Sequence, residues 1–346
     1  MMRTLAIAFL AAFAAAPAQA TLVAFDIPGG GSQNGHGTYV NGVNISGDVT
    51  GNVIDDSGQS SGFVRDADGT VTVFTGAANA DTHAIDIAGS TVNGYYTGAD
   101  GHNHGFIHFL DGTITTFDPK HSTGTQSIAT NRGHDIAGQF TDSSRGGLQR
   151  GFLRKARSGR FETFDGNPTA RTFGTFVTGL SNTPNIVGFW FDASSAMHGF
   201  WRARNGFIVP IDIDGAGTGA LQGTQPESVN LGGDIAGFYT DGSGKRHGFL
   251  RTRTGTVETF DAPGAVTTVV ASINRDRKIA GYFIDASGIA HGFVRSRHGN
   301  FKVFDAPGAA LEPSRGTFVS DINEFGAVSG EVYDHQFGAH GFEGTP

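Results

Sequence analysis

Residues 234–264 read DIAGFYTDGSGKRHGFLRTRTGTVETFDAPG, and residues 278–308 read KIAGYFIDASGIAHGFVRSRHGNFKVFDAPG. The two stretches are copies of one unit, and working outward from them the same unit recurs along the chain. Three landmarks carry it. A glycine sits inside an Ile-Ala-Gly-like segment at Gly51, Gly94, Gly138, Gly188, Gly237, Gly281 and Gly330. A Gly-Phe pair places phenylalanines at Phe63, Phe106, Phe152, Phe200, Phe249, Phe293 and Phe342. An aromatic-Asp segment end falls at Phe25, Phe117, Phe164, Phe260 and Phe304, with Phe74-Thr75 in the first copy and Ile211-Asp212 in the fourth.

The spacing between landmarks fixes the geometry. The segment glycine precedes the glycine of Gly-Phe by 11 residues in six copies and by 13 in the third. Gly-Phe precedes the next aromatic-Asp end by 11 residues in five copies and by 12 in the third. Constant spacing of this kind means hairpins of fixed register, since register follows turn type and loop length. Asp241-Gly242-Ser243-Gly244 and Thr254-Gly255 supply the turn chemistry, with glycine at positions of positive φ. A further strand precedes each Ile-Ala-Gly segment, giving four strands in each copy of about 43 to 49 residues, the size of a propeller blade.

The ends of the chain decide between a ring and an open stack. A lone aromatic-Asp strand (residues 22–27) opens the repeat region, and the last copy stops after Gly341-Phe342 without a fourth strand. Pairing the first strand into the last copy completes the set and removes an exposed sheet edge. The expectation is an all-β, seven-bladed β-propeller of four-stranded blades, closed by its N-terminal strand and forming a single domain over residues 21–346.

Residues 1–20 read as a cleaved signal peptide. Arg3 precedes an apolar run from Leu5 to Ala16, and Ala18-Gln19-Ala20 is a small-x-small cleavage site. The expected product is secreted or periplasmic, without a membrane anchor. Cysteine is absent, so stability rests on packing and pairing. A net charge of −8 argues against nucleic acid as a partner. Fifty-four glycines beside 29 phenylalanines indicate folded, turn-rich β structure rather than disorder.

The run Asn-x-x-x-x-Ile-x-Gly-x-x-x-Asp-x-x-Gly-x-x-His-Gly-Phe resembles the bacterial probable extracellular repeat family named HAF after its His-Ala-Phe tripeptide. Here the tripeptide is His-Gly-Phe at His104, His198, His247, His291 and His340, with Ser61 in the first copy and Arg150 in the third. The resemblance implies export and blade-like repeats, and it brings no catalytic residue with it.

Those five histidines sit at equivalent positions of successive units, so they do not converge on one ion, and they read as structural. The turn aspartates Asp55, Asp142, Asp192, Asp241, Asp285 and Asp334 read as turn caps. Calcium would need six to eight oxygens, more than such a turn offers. Asn44, Asn131, Asn230, Asn274 and Asn323, with Asp86 and Ser181 in their place in copies two and four, fit a turn after the first strand. Arg251 with Glu258, and Arg154 with Glu162, read as cross-strand pairs. No metal site and no cofactor is expected.

Function in such a design is expected from residues that break the repeat. On the face carrying the connections between copies these are His36, Asp81, His83, Lys120, His121, Arg171, Glu227, Glu312 and Arg315. His83, His121 and Arg171 lie on successive connections, and a base, a second imidazole and a cation suit proton abstraction beside a carboxylate. The leading expectation is a monomeric, non-catalytic binding protein presenting its loop-rich face to a glycan, peptide or cell-surface partner. The alternatives are an extracellular polysaccharide lyase or hydrolase working at the channel mouth, and a structural envelope or matrix component.

Overall fold

In a computed structural model, described here for residues 21–167 and 174–346, the chain is all-β. The expected signal peptide and Arg171 lie outside the described residues. A short strand β1 (Val23–Phe25) comes first, followed by antiparallel four-stranded meanders. The first is β2 (Gly37–Val43), β3 (Val49–Ile54), β4 (Ser60–Arg65) and β5 (Val71–Phe74). The second is β6 (Thr82–Ala88), β7 (Thr91–Thr97), β8 (Asn103–Phe109) and β9 (Ile114–Phe117). The third is β10 (Ser122–Thr130), β11 (Ile136–Asp142), β12 (Leu148–Arg154) and β13 (Phe161–Phe164). The fourth is β14 (Thr175–Leu180), β15 (Ile186–Phe191), β16 (Met197–Arg202) and β17 (Ile208–Ile211). The fifth is β18 (Gly223–Val229), β19 (Ile235–Thr240), β20 (Arg246–Arg251) and β21 (Val257–Phe260). The sixth is β22 (Thr267–Ile273), β23 (Ile279–Ile284), β24 (Ala290–Arg295) and β25 (Phe301–Phe304). The last has three strands of its own, β26 (Gly316–Ile322), β27 (Val328–Tyr333) and β28 (Ala339–Gly344). Its fourth position is taken by β1, antiparallel to β28 with Val23 opposite Glu343 and Phe25 opposite Gly341.

The three sequence landmarks are parts of one packing unit. Each Gly-Phe phenylalanine is fully buried, and in the sixth meander its ring (Phe293) lies over the segment glycine Gly281. A Cβ at Gly281 would fall on the carbonyl oxygen of Val269 in the neighbouring strand. The glycine of Gly-Phe makes room for the aromatic at the end of the fourth strand, so that a Cβ at Gly292 would lie 2.6 Å from the Phe304 ring. The strand-end ring then meets the next buried phenylalanine edge-on, as Phe74 meets Phe106 and Phe304 meets Phe342. Phe25 of β1 meets Phe63 in the same way.

Two register expectations need correction. Glu258 lies opposite Leu250 and Glu162 opposite Leu153, one position off the arginines assigned to them. A one-residue offset turns a side chain to the other face of a strand, and each glutamate therefore reaches the following meander. Glu162 accepts from Arg202 at 3.0 Å, Glu258 pairs with Arg295, and Glu343 pairs with Arg65. Each arginine also stacks on the preceding strand-end ring, Arg202 on Phe164, Arg295 on Phe260 and Arg65 on Phe25. Asp86 does not occupy the asparagine position either. Pairing places Ala88 there, and Asp86 aligns with Gly42.

The asparagines after the first strands cap their own turns and also reach the next meander. Asn230 Nδ2 donates to Asn274 O (3.1 Å), Asn274 Nδ2 to Asn323 O (3.0 Å), and Asn323 Nδ2 to Asn44 O (3.0 Å).

Candidate functional site

Each repeated histidine staples its own meander. His104 Nδ1 lies 2.7 Å from Asp118 of the strand end, and Nε2 lies 3.2 Å from Asp100 of the turn. His247 stands likewise between Asp261 and Asp241, and His340 between Asp26 and Asp334. The hydrogen bond to Asp118 raises the His104 pKa. At His340 burial opposes the charge, but the bonds to Asp26 and Asp334 outweigh it and the pKa rises. The polar groups most regularly displayed at the loop-rich end are therefore committed to one another.

The non-repeating candidates at that end are dispersed. Asp81 accepts from Ser60 N at 3.1 Å, joining the first meander to the second. The carbonyl of His36 accepts from Ala339 N at 3.0 Å. Glu312 pairs with Arg315 and His335, while Arg315 lies 3.9 Å over the Phe337 ring. Lys120 is exposed. His121 is exposed in a left-handed backbone conformation, and its carbonyl holds Ser143. His83 is not in a connection. It belongs to β6, stacks on Tyr95 at 4.8 Å and faces Asn52, and burial lowers its pKa. His83 and His121 share no hydrogen bond or ring contact, and Arg171, the third member of the expected set, lies outside the described residues.

Glu227 is also not in a loop, and its true position leads to the cavity. Every first strand contains a β-bulge just past its middle, with register shifts between Val40 and Gly42, Pro226 and Ser228, and Val319 and Asp321 among others. The extra residue at each bulge is unpaired, and bulges often re-aim side chains beside functional sites. Here Asn41, Ile85, Ile128, Thr178, Glu227 and Ser320 line one cavity of about 300 Å³. The first strands of all the meanders contribute to its wall, at the end opposite the connections. The segment glycines of the second strands permit the bulges, since the bulged backbone occupies the space a Cβ would need.

The cavity wall is acidic in an unusual way. Asp86 receives Thr130 N at 2.9 Å and Ile87 N at 2.8 Å, and Asp321 receives Val43 N at 3.0 Å and Ile322 N at 2.8 Å. Each carboxylate thus ties its own strand to the first strand of the next meander. Both keep some accessible surface, while protein surrounds them otherwise. Burial, then the nearby Asp321 charge, raises the Asp86 pKa to about 7. Burial raises Glu227 to about 8, against the opposing effects of Gln225 (2.6 Å) and Arg246. Closer to the loop-rich end, burial brings Glu331 to about 7 despite a hydrogen bond from Ser320. Glu331 stands among Tyr282, Phe318, Tyr333 and Tyr39, whose rings pack in sequence at 5.0, 5.4 and 6.5 Å. With pKa values raised to about 7 or 8, Asp86, Glu227 and Glu331 can carry a proton near neutral pH and so donate as well as accept hydrogen bonds. Among the described residues no group of three or more acidic, histidine or cysteine side chains is arranged to hold a metal ion.

These shifts fix the sign of the pH dependence. Asp86, Glu227 and Glu331 are raised in the folded state, so stability falls as pH climbs from about 4 through 7 to 8. The raised histidines act in the same direction, since their ion pairs are complete below about pH 6.5 and lost above. Turn aspartates such as Asp241, held down by Ser243 and Lys245 N–H, act at the other end and lose their contribution below about pH 4. The melting temperature is expected to peak between about pH 4.5 and 6 and to fall by roughly 3–6 °C by pH 8.5. Glu227→Gln should flatten the alkaline limb. A melting temperature that rises from pH 5 to pH 8 contradicts this assignment.

No family model matches the chain, and no curated protein matches it in sequence. Solved structures do match. BP39L lectin from Burkholderia pseudomallei aligns with a TM-score of 0.54 at 13% identity, over 88% of this chain and 94% of the lectin. The fold is a β-propeller. A prolyl endopeptidase aligns with a TM-score of 0.55 at 14% identity, over 86% of this chain and 47% of that one. Pyrococcus horikoshii acylaminoacyl peptidase gives 0.51 at 8% identity, over 86% and 51%. This propeller spans about half the length of either peptidase, and identities this low speak to fold alone.

Proposed function

We propose that the chain is an exported, closed seven-bladed β-propeller that binds a glycan in its central cavity. Ring closure is supported by four independent contacts between the two ends of the repeat region. They are the β1–β28 pairing, the His340–Asp26 bond, the Asn323-to-Asn44 link and the Asp321-to-Val43 link. Export is supported by the charge and hydropathy pattern of residues 1–20 and by the resemblance to HAF repeats.

The observation that carries the binding reading is the cavity itself. Its volume lies at the small end of the range for ligand sites. Bulged strands of unlike sequence line it with amide, hydroxyl and carboxyl groups, while the surrounding propeller repeats closely. Carboxyl groups poised near neutrality suit the hydroxyls of an uncharged sugar, which both donate and accept. A lectin among the structural neighbours is compatible with this chemistry. On this reading the ligand enters at the end opposite the connections, whereas the sequence points to the loop-rich face.

A screen of the mature protein against an array of neutral oligosaccharides, followed by calorimetry, tests the reading. Binding should weaken at least tenfold in Glu227→Ala, with thermal stability retained. Absence of any bound glycan, or affinity untouched by Glu227→Ala and Thr178→Val alike, overturns it.

A further inference from the structure

The end of the propeller that holds the cavity mouth also carries the turns between third and fourth strands, and charge there does not follow the repeat. The second turn residue is Ala67, Leu110 and Ala156 in the first three meanders, then Arg204, Arg253 and Arg297 in the next three. In the first two meanders this rim bears Asp48, Asp66, Asp68 and Asp111 instead. A chain of net charge −8 therefore keeps a cationic arc on one side of one face.

The arc is deepest in the sixth meander. There the β22–β23 turn and the β24–β25 turn enclose an open groove of about 570 Å³. Its walls are fixed. Asn274 Oδ1 accepts from the backbone N–H groups of Asp276 (3.1 Å) and Lys278 (3.0 Å). Arg277 is spent on Asp234, with Nε at 2.6 Å and a second guanidinium nitrogen at 3.1 Å. The other cations lining the groove, Arg275, Lys278 and Arg297, make no ion pair among the described residues. Arg297 Nε donates to His298 Nε2 at 3.0 Å. Asp276 is the one carboxylate in the lining.

The geometry points to a second, anion-recognising surface here, whose partner is a linear acidic polysaccharide bearing sulfate or carboxylate groups. Unpaired cations on a preordered turn attract multivalent anions at long range, and their effect is strongest at low salt. The division of the face favours a chain-like ligand over a planar one. An anionic membrane pressed against the turns would meet Asp48, Asp66, Asp68 and Asp111 together with the arginines, whereas a linear polyanion can follow the arc alone. The groove also lacks the aromatic platforms on which single-stranded nucleic acid stacks. This surface borders the cavity at Arg275, which lines both, but it does not depend on the cavity holding a sugar.

The test uses the mature protein with size-defined heparin and polygalacturonate, measured by calorimetry in low and high salt. Heparin or polygalacturonate should bind in 50 mM NaCl and weaken at least tenfold in 500 mM. The exposed pair Arg275→Glu with Arg297→Glu should weaken it at least tenfold again, with the melting curve unchanged. Glu227→Ala should leave it intact, which separates this surface from the cavity. Failure to bind either polymer, or binding indifferent to the double charge reversal, overturns the proposal. So does tighter binding to single-stranded DNA or to phosphatidylglycerol vesicles than to both polysaccharides.

Discussion

A chain that begins after Ile27 should be strongly destabilised and prone to associate. Without β1, strand β28 presents an unpaired edge next to the first meander, and the loss extends well beyond the ladder hydrogen bonds. The Phe25 ring that packs edge-on against Phe63 is removed. Arg65 loses the ring it stacks on, His340 loses Asp26, and the buried Ile27 is lost as well. Removing the fully buried Ile27 side chain alone costs about 2–5 kcal/mol, and with the partly buried Phe25 and the lost pairing the melting temperature should fall by more than roughly 10 °C. The freed edge should also promote association. Differential scanning calorimetry with light scattering reads both effects. A truncated protein that stays monomeric and melts within a few degrees of the full one would mean that β1 is an accessory strand.

The second large effect is expected at a residue with almost no side chain. Gly281→Ala places a methyl group against the Val269 carbonyl and within 3.0 Å of the Phe293 ring. The obstacle is backbone on one side and a fully buried ring on the other, and neither can move without disturbing the bulge in β22. A loss of about 3 kcal/mol is expected, together with weaker ligand binding, because Ser272 and Ile273 beside that bulge line the cavity. Gly242→Ala is the control: no atom lies within 4 Å of a Cβ there, and its stability should match the parent. If both variants melt alike, the glycine landmark does not exist to admit the bulge.

The repeat was legible in sequence because packing imposes it. Phe249, Gly237 and Phe260 recur at fixed spacing since each fills or vacates a volume that its neighbours define. The site was less legible for the converse reason. Asp86, Asp321 and Glu227 occupy a bulge, where one extra residue shifts the face that each side chain takes. Alternation counted straight through the strand therefore misplaces them. For this reason the sequence places Asp86 in the asparagine turn and Glu227 in a loop. A usable signal did exist in the run of residues aligned with Gly42, namely Asp86, Ala129, Gly179, Ser228, Ser272 and Asp321. Those positions lie inside a repeated strand, yet they refuse to repeat. The ion pairs Glu162–Arg202 and Glu258–Arg295 were hidden in a different way. They join different meanders, and hairpin register within one copy does not predict them.

The proposed ring closure is the central claim behind both the cavity and the cationic arc, and a disulfide tests it most directly. The chain has no cysteine, so Val23→Cys with Glu343→Cys introduces a single candidate bond between Cα partners of β1 and β28. In the folded protein the two thiols should oxidise quantitatively into one intramolecular disulfide. The oxidised form should melt higher than the reduced form of the same variant, since the bond restrains a very long loop. Thiols that stay free in the native state, or that join only between molecules, would contradict a ring closed by its own first strand.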